Sequence, residues 1–203
     1  SVTGEFEIRQ NKSATTTFTA QTVTIGGLSV EVPELAPLIE AITGEDVVLQ
    51  LDGFVRLEGD FAVIQDTSTS TPFEGVAILI DDASAMLDPD LGAGTTEVGV
   101  TNASLALLLP GSTGYALYGT GDASLEVAGV GGVSGTFTVR KNTLGVDVAD
   151  QTFEYDGVSV AVTELHSGIE STTGNDVVGQ LDGFVRLEGD FAVIQDTDAL
   201  TPF

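Results

Sequence analysis

The amino-acid sequence predicts an all-β protein, built as an elongated stack of repeats. Two observations carry this prediction: apolar and polar residues alternate along most of the chain, and long stretches of sequence occur twice. Alternation with a period of two is typical of strands with one apolar face, and self-similarity at a fixed spacing is typical of repeat architectures. We expect a β-solenoid-like stack, in which each coil covers the open edge of the last. Tandem β-sandwich domains are the alternative.

The repeat has a period of about 130 residues. Residues 173–203 differ from residues 43–73 at only five positions, which are 45, 49, 68, 69 and 70. Upstream, VSGTFTVRKN (133–142) matches VTGEFEIRQN (2–11). We therefore divide the chain into a first unit, 1–132, with half-units of about 1–73 and 74–132, and a partial second unit, 133–203, equivalent to 2–73.

A Gly-x-Phe motif occurs four times along the chain, beginning at Gly4, Gly59, Gly135 and Gly189, and each is preceded two residues earlier by Val or Leu. Because side chains alternate along a strand, the glycine and the phenylalanine face the same side. If equivalent strands stack, each ring covers a glycine of a neighbouring strand, which restores packing where glycine leaves a gap. The predicted stacking residues are the motif pairs and two phenylalanines on the charged side of their strands: Gly4, Phe6, Gly59, Phe61, Gly135, Phe137, Gly189, Phe191, Phe54 and Phe184.

Turn residues separate the alternating runs. Gly26-Gly27 and its counterpart Asp156-Gly157 lie between short runs, and both pairs tolerate the positive φ of a two-residue hairpin. The repeated stretch QLDGFVRLEGDFAVIQDT (50–67 and 180–197) is too long for one straight strand, so we expect bends at Asp52-Gly53 and at Gly59. Apolar residues at helical spacing in PELAPLIEAITG predict at most a short helical turn near 33–43.

The composition is acidic and free of cysteine. Asp and Glu number 31 against 6 Lys and Arg, for a formal net charge of −25, so nucleic acid and anionic membranes would be repelled along the chain. The absence of cysteine removes disulfides and thiolate chemistry, and no stretch approaches the length of a membrane span. We expect no nucleic-acid partner and no membrane insertion.

Catalytic residues are not expected, and we predict that the chain is not an enzyme. His166 is the only histidine, and the first copy has Ala36 at that position, so a site that needs this imidazole is not part of the repeat. A pair of carboxylates can hydrolyse glycosides, but with so many acidic residues such a pair is uninformative without a cleft. A polysaccharide-acting enzyme is the minor alternative.

Carboxylates at alternate positions of the repeated stretch are the candidate metal ligands: Asp52, Glu58, Asp60, Asp182, Glu188 and Asp190. TGNDVVGQLDG (173–183) is similar to the glycine-aspartate repeats that bind calcium in β-rolls. The same spacing is typical of the solvated face of a strand, with Arg56 and Arg186 as the neutralising neighbours. No cofactor is required on this interpretation, and a Ca2+-dependent adhesin or binding module is the alternative function.

The segments VGVTNASLALLLPGSTGYALYGTGDASLEVAGVGGVSGTFTVRKN (98–142) and DGFVRLEGDFAVIQ resemble the giant bacterial extracellular β-strand-repeat proteins. The resemblance covers nearly the whole chain. It lies in the order and spacing of short strand motifs and includes no catalytic motif. It implies a secreted, elongated, self-stacking protein outside the cell or at its surface. We therefore expect a structural segment of an extracellular fibre, sheath or giant surface-protein stalk. Its expected partners are other copies or neighbouring repeats of itself, and the sequence gives no support for surface glycans as partners.

Overall fold

The computed structural model describes residues 1–51, 55–66, 74–87, 96–111, 114–127, 129–181 and 184–196. These residues form thirteen β-strands and no helix, which confirms the all-β class. None of them belongs to a helix able to cross a membrane.

The strands, in chain order, are β1 (Val2–Asn11), β2 (Gln21–Ile25), β3 (Leu28–Val32), β4 (Ile39–Leu51), β5 (Val55–Asp66), β6 (Gly75–Leu87), β7 (Thr96–Pro110), β8 (Ala116–Val127), β9 (Gly131–Asn142), β10 (Gln151–Tyr155), β11 (Val158–Val162), β12 (Ile169–Leu181) and β13 (Val185–Asp196). Nine of them form one sheet in the order β1-β4-β5-β6-β7-β8-β9-β12-β13. Every neighbouring pair in this sheet is antiparallel. The other four strands form two separate hairpins, β2-β3 and β10-β11.

The sequence repeat is also a repeat of topology. In each copy a strand, a hairpin and two further strands follow one another, as β1 to β5 and as β9 to β13. At the boundary between the copies, β8 pairs with β9 from Ala116↔Asn142 to Val127↔Gly131 without a register shift. The sheet therefore continues from one unit into the next. A solenoid-like stack and tandem sandwiches are not confirmed, because the described strands form an antiparallel meander with a hairpin laid over it.

The hydrophobic core lies between the hairpin β10-β11 and one face of the large sheet, which we call the covered face. Strand β11 contacts β5, β6 and β7. Beneath the hairpin, two rows of mostly small residues cross the strands of the sheet. The almost fully buried apolar residues of these rows are Ala41, Ala62, Ala77, Leu79, Ala106, Leu108 and Ala116. Small side chains bring the two layers close together, and close packing is what stabilises a protein interior.

Most long strands of the sheet are irregular near their middle. Asp46, Asp82, Asn102 and Asp176 have positive φ angles between 46° and 50°, and the register shifts beside each of them. Asp and Asn tolerate this conformation better than other non-glycine residues, and an extra residue at such a bulge bends its strand. The bend predicted at Gly59 coincides with one of these shifts, whereas Asp52-Gly53 lies outside the described residues.

Both predicted two-residue hairpins are confirmed. Ile25 pairs with Leu28 and Tyr155 with Val158, and the turn residues all have positive φ. The short helical turn expected near 33–43 is wrong. Leu35 instead forms a bridge with Phe18, Leu38 takes a positive φ of 58°, and β4 begins at Ile39.

The two hairpins allow a matched test of the core. Val160 of β11 is 0 % exposed, whereas Val30, the same position in the first copy, is 52 % exposed. We expect Val160→Ala to lower the free energy of unfolding by about 1.5–3 kcal/mol. Val30→Ala should change it by less than about 0.5 kcal/mol. Urea unfolding followed by circular dichroism measures both, and equal losses would contradict the burial of β10-β11 against the sheet.

Candidate assembly surfaces

The tip of hairpin β10-β11, which belongs to the second unit, is held by strands of the first unit. The Asp156 carboxylate pairs with Arg9 of β1 at 2.8 Å and accepts a hydrogen bond of 3.1 Å from the Thr43 hydroxyl of β4. The Arg9 guanidinium also lies 6.0 Å from the centre of the Tyr155 ring. A hydrogen bond between a guanidinium and a carboxylate is charge-assisted, and it is stronger than a hydrogen bond between neutral groups. The contact fixes where the second unit lies on the first.

Glu7 completes this contact by orienting Arg9. The Arg9 Nε and Nη2 atoms donate to the two Glu7 carboxylate oxygens at 2.6 and 2.7 Å. This hydrogen bonding holds the pKa of the Glu7 carboxyl below its ordinary value and raises that of the Arg9 guanidinium. Bidentate pairing restricts the arginine to one plane, so the remaining Nη1 atom is aimed at Asp156.

The base of each hairpin is held by an asparagine. Asn142 is fully buried, donates to the carbonyls of Val146 and Leu165 at 2.9 and 2.8 Å, and accepts from the Leu144 amide. Asn11 makes the equivalent contacts in the first copy. The sequence interpretation missed this role, although the recurrence of Arg-x-Asn at 9–11 and 140–142 was visible.

The same hairpin is buried in one copy and bare in the other. Val158 is 1 % exposed, whereas Leu28, its counterpart in β3, is 70 % exposed. Ile25 and Val30 are exposed as well. Hairpin β2-β3 is therefore an apolar element with the register of a covering hairpin and no core of its own.

The last two strands of the chain, β12 and β13, have a sheet surface that no hairpin covers within the described residues. Ala62 is fully buried and Ile64 is half-buried under β10-β11, but their copies Ala192 and Ile194 in β13 are exposed. Nearby, Arg140 stands at the position that Arg9 has in the first unit. Within the described part of the chain, Arg140 Nε and Ser171 Oγ are buried without a hydrogen-bond partner. The surface that receives a hairpin in the first unit is thus present and uncovered in the second.

The predicted phenylalanines do lie over glycine, but the glycine belongs to the strand between them. Phe6 and Phe61 flank Gly44, with ring centres 6.1 Å apart, and a Cβ on Gly44 would lie 2.3 Å from the Phe61 ring. Phe137 and Phe191 flank Gly174 in the same way, at 5.9 Å.

The motif glycines have a different role. A Cβ added to Gly4, Gly59 or Gly135 would lie within 3.0 Å of the backbone of the adjacent strand, so these three glycines permit close approach at the bulges. Gly189, in the edge strand β13, has open space beside it. Phe184 is 92 % exposed, and Phe54 lies outside the described residues.

The candidate metal ligands that the structure describes are engaged by protein donors. Glu58 accepts from Arg56 Nε at 3.0 Å and from the Ser84 hydroxyl at 3.1 Å. Asp60 accepts from the amide of Asp46 at 2.8 Å. In the second copy Glu188 pairs with Arg186, and Asp190 accepts from the Asp176 amide at 2.8 Å. Asp60 and Asp190 thus hold the bulges, while Asp52 and Asp182 lie outside the described residues.

A different acidic group lies at the base of β10-β11. His166 Nδ1 is 3.8 Å from carboxylate oxygens of Asp147 and Glu164, and all three side chains are exposed. The first copy has Thr17, Glu34 and Ala36 at these positions. The group is therefore specific to one copy, unlike the hairpin contacts, which involve elements present in both.

Comparison with known protein families, with curated proteins and with solved structures gives no match. The contact between a hairpin of one unit and the sheet of the other is the most completely built site among the described residues.

The pairing of Arg9 with Glu7 predicts a dependence of stability on pH. Because the pKa of Glu7 is lowered in the folded protein, its contribution is present above the ordinary value of 4.5 and is lost as the pH falls through the lowered folded value. Arg9→Ala should therefore lower the melting temperature more at pH 7 than at pH 3. Arg186→Ala, which breaks an exposed pair, is the control and should have a small effect at both pH values. An equal effect of Arg9→Ala at the two pH values would contradict the assignment.

Proposed function

We propose that this chain is a structural repeat segment of an extracellular fibre, sheath or surface-protein stalk, in which one sheet lengthens unit by unit. The observation that carries the proposal is the docking of hairpin β10-β11 on the preceding unit. Its buried valines cover strands β5, β6 and β7 of that unit, and its Asp156 carboxylate is hydrogen-bonded to Thr43, which lies 113 positions away in sequence. The units are thereby coupled to their nearest neighbours, as in other repeat proteins.

The ladder across the unit boundary supports growth of a single ribbon. Six strands of the large sheet, β1 and β4 to β8, precede β9, which is the copy of β1. With strands about 4.8 Å apart, each unit adds about 29 Å to the ribbon. We propose this ribbon with its layer of hairpins in place of solenoid coils.

The two ends support the same proposal. Hairpin β2-β3 offers an apolar covering element, and the surface of β12 and β13 offers an uncovered site of the kind that receives one. Strand β13 is the copy of β5, and in the first unit three strands, β6, β7 and β8, lie between β5 and β9, the next copy of β1. Direct pairing of β13 with β1 of another chain would therefore leave out the equivalents of these three strands. The natural neighbours of this segment are therefore further repeats of the same kind.

The proposed mechanism is mechanical and not catalytic. Backbone ladders give the ribbon its length, and each hairpin locks one unit to the next. The strongly negative charge keeps such arrays soluble and separate from anionic surfaces, which suits a protein outside the cell.

Small-angle X-ray scattering of longer chains tests this function. We expect the insertion of one or two additional 130-residue units between residues 132 and 133 to raise the maximum dimension by about 29 Å per unit. The cross-section should stay constant, because each hairpin covers its neighbour in the same way. A chain whose units scatter as flexibly linked beads would overturn the proposal.

A further inference from the structure

The face of the large sheet opposite to β10-β11, which we call the open face, is apolar and uncovered. Following the pairings from strand to strand, its exposed large side chains include Phe6, Ile8, Leu57, Leu187, Phe191 and Val193. A shallow apolar groove of about 300 Å³ crosses it beside Leu49, Phe61 and Val100. The largest apolar patch of a typical soluble monomer covers roughly 300–600 Å², and this face is larger.

The composition of this face differs from that of the covered face. Beyond the hairpin, the covered face carries polar residues, such as Glu58, Ser84 and Ser124. On the open face, apart from the bulges, the described strands place three charged residues, Glu40, Lys141 and Glu170, all near one margin. Lys141 and Glu170 neutralise each other at 2.9 Å. Away from this margin and from the bulges, the described strands therefore place no charged residue on the open face.

The open face is also suited in shape to another sheet. The phenylalanine rings lie over Gly44 and Gly174, so they fill gaps in the surface. Facing sheets pack about 10 Å apart through interdigitated apolar side chains.

The available area is sufficient for a stable pair. Eight strand spacings of about 4.8 Å and about ten residues of 3.3 Å give a face of roughly 1,200 Å². A standard interface buries about 800 Å² on each partner.

A second copy of this chain fits these observations best. We propose that the open face is the interface between two copies, packed face to face as a two-layer sandwich. A two-fold contact needs a self-complementary surface, and a mostly apolar face with few charged residues meets that condition. The arrangement leaves the acidic residues of the covered face directed outward, so two chains of net charge −25 associate without bringing these carboxylates together. The inference does not depend on whether added units lengthen the ribbon.

Sedimentation equilibrium of the 203-residue chain at about 0.15 M salt, where surface charge is well screened, tests the interface. We expect the wild type to be a dimer at micromolar concentrations. The double variant Ile8→Asp/Val193→Asp places a charge at two positions that are 74 % and 66 % exposed in the single chain. It should weaken association at least about 100-fold, because an unpaired charge would be buried in the dimer.

The control is Ile25→Asp, at a residue that is 76 % exposed on hairpin β2-β3 and lies away from the open face. It should remain dimeric. If aspartate perturbs folding, as judged by circular dichroism, the milder Ile8→Thr/Val193→Thr pair replaces the double variant and should still weaken association.

Three results would overturn the proposal. They are a monomeric wild type at about 100 µM, a dimer that Ile25→Asp alone dissociates, and a monomer that binds zwitterionic lipid vesicles through the open face. The second result would assign association to the free hairpin, and the third would assign the face to lipid.

Discussion

The docking of hairpin β10-β11 on the alanine rows of the sheet is the constraint on which the rest of the structure depends. A single sheet has no interior until another layer covers one of its faces. Here that layer is a hairpin of two five-residue strands, and the residues beneath it are small enough for Val158 and Val160 to be buried completely. Because the hairpin and most of the strands that it covers belong to different units, the core of one unit is completed by the next.

This division of the core explains the asymmetry of the chain. The first unit is covered by the hairpin of the second, whereas the first hairpin and the last two strands lack such partners within the described residues. The same asymmetry holds for polar side chains. Arg9 forms ion pairs with Glu7 and Asp156, whereas its copy, Arg140, lies over the Tyr118 ring and has no equivalent carboxylate partner among the described residues. Features that both copies share, such as the hairpin register, therefore depend on the local sequence. Features that only one copy has, such as the burial of its hairpin, depend on contact with the neighbouring unit.

Local patterns in the sequence were sufficient to predict strands and the two hairpin turns, because alternation and turn-residue chemistry act over a few residues. The helical turn near 33–43 failed since the apolar spacing of Leu35 and Ile39 serves a bridge and a strand instead. The glycine beneath each pair of rings was not predictable, because strand register decides that Gly44 lies between Phe6 and Phe61. Nor was the contact between Thr43 and Asp156, which are 113 residues apart, or the use of Asp60 to hold a bulge.

Amide hydrogen exchange of the two hairpins in one molecule measures the hairpin-on-sheet contact most directly. We expect the amides of Val158 and Val160 to exchange only when the core opens, at least about 100-fold more slowly than those of Leu28 and Val30 at the same positions of the free hairpin. Each comparison is internal, since both hairpins have the same register and experience the same solvent. Equal protection in the two hairpins would contradict the claim that the hairpin of one unit completes the core of its neighbour.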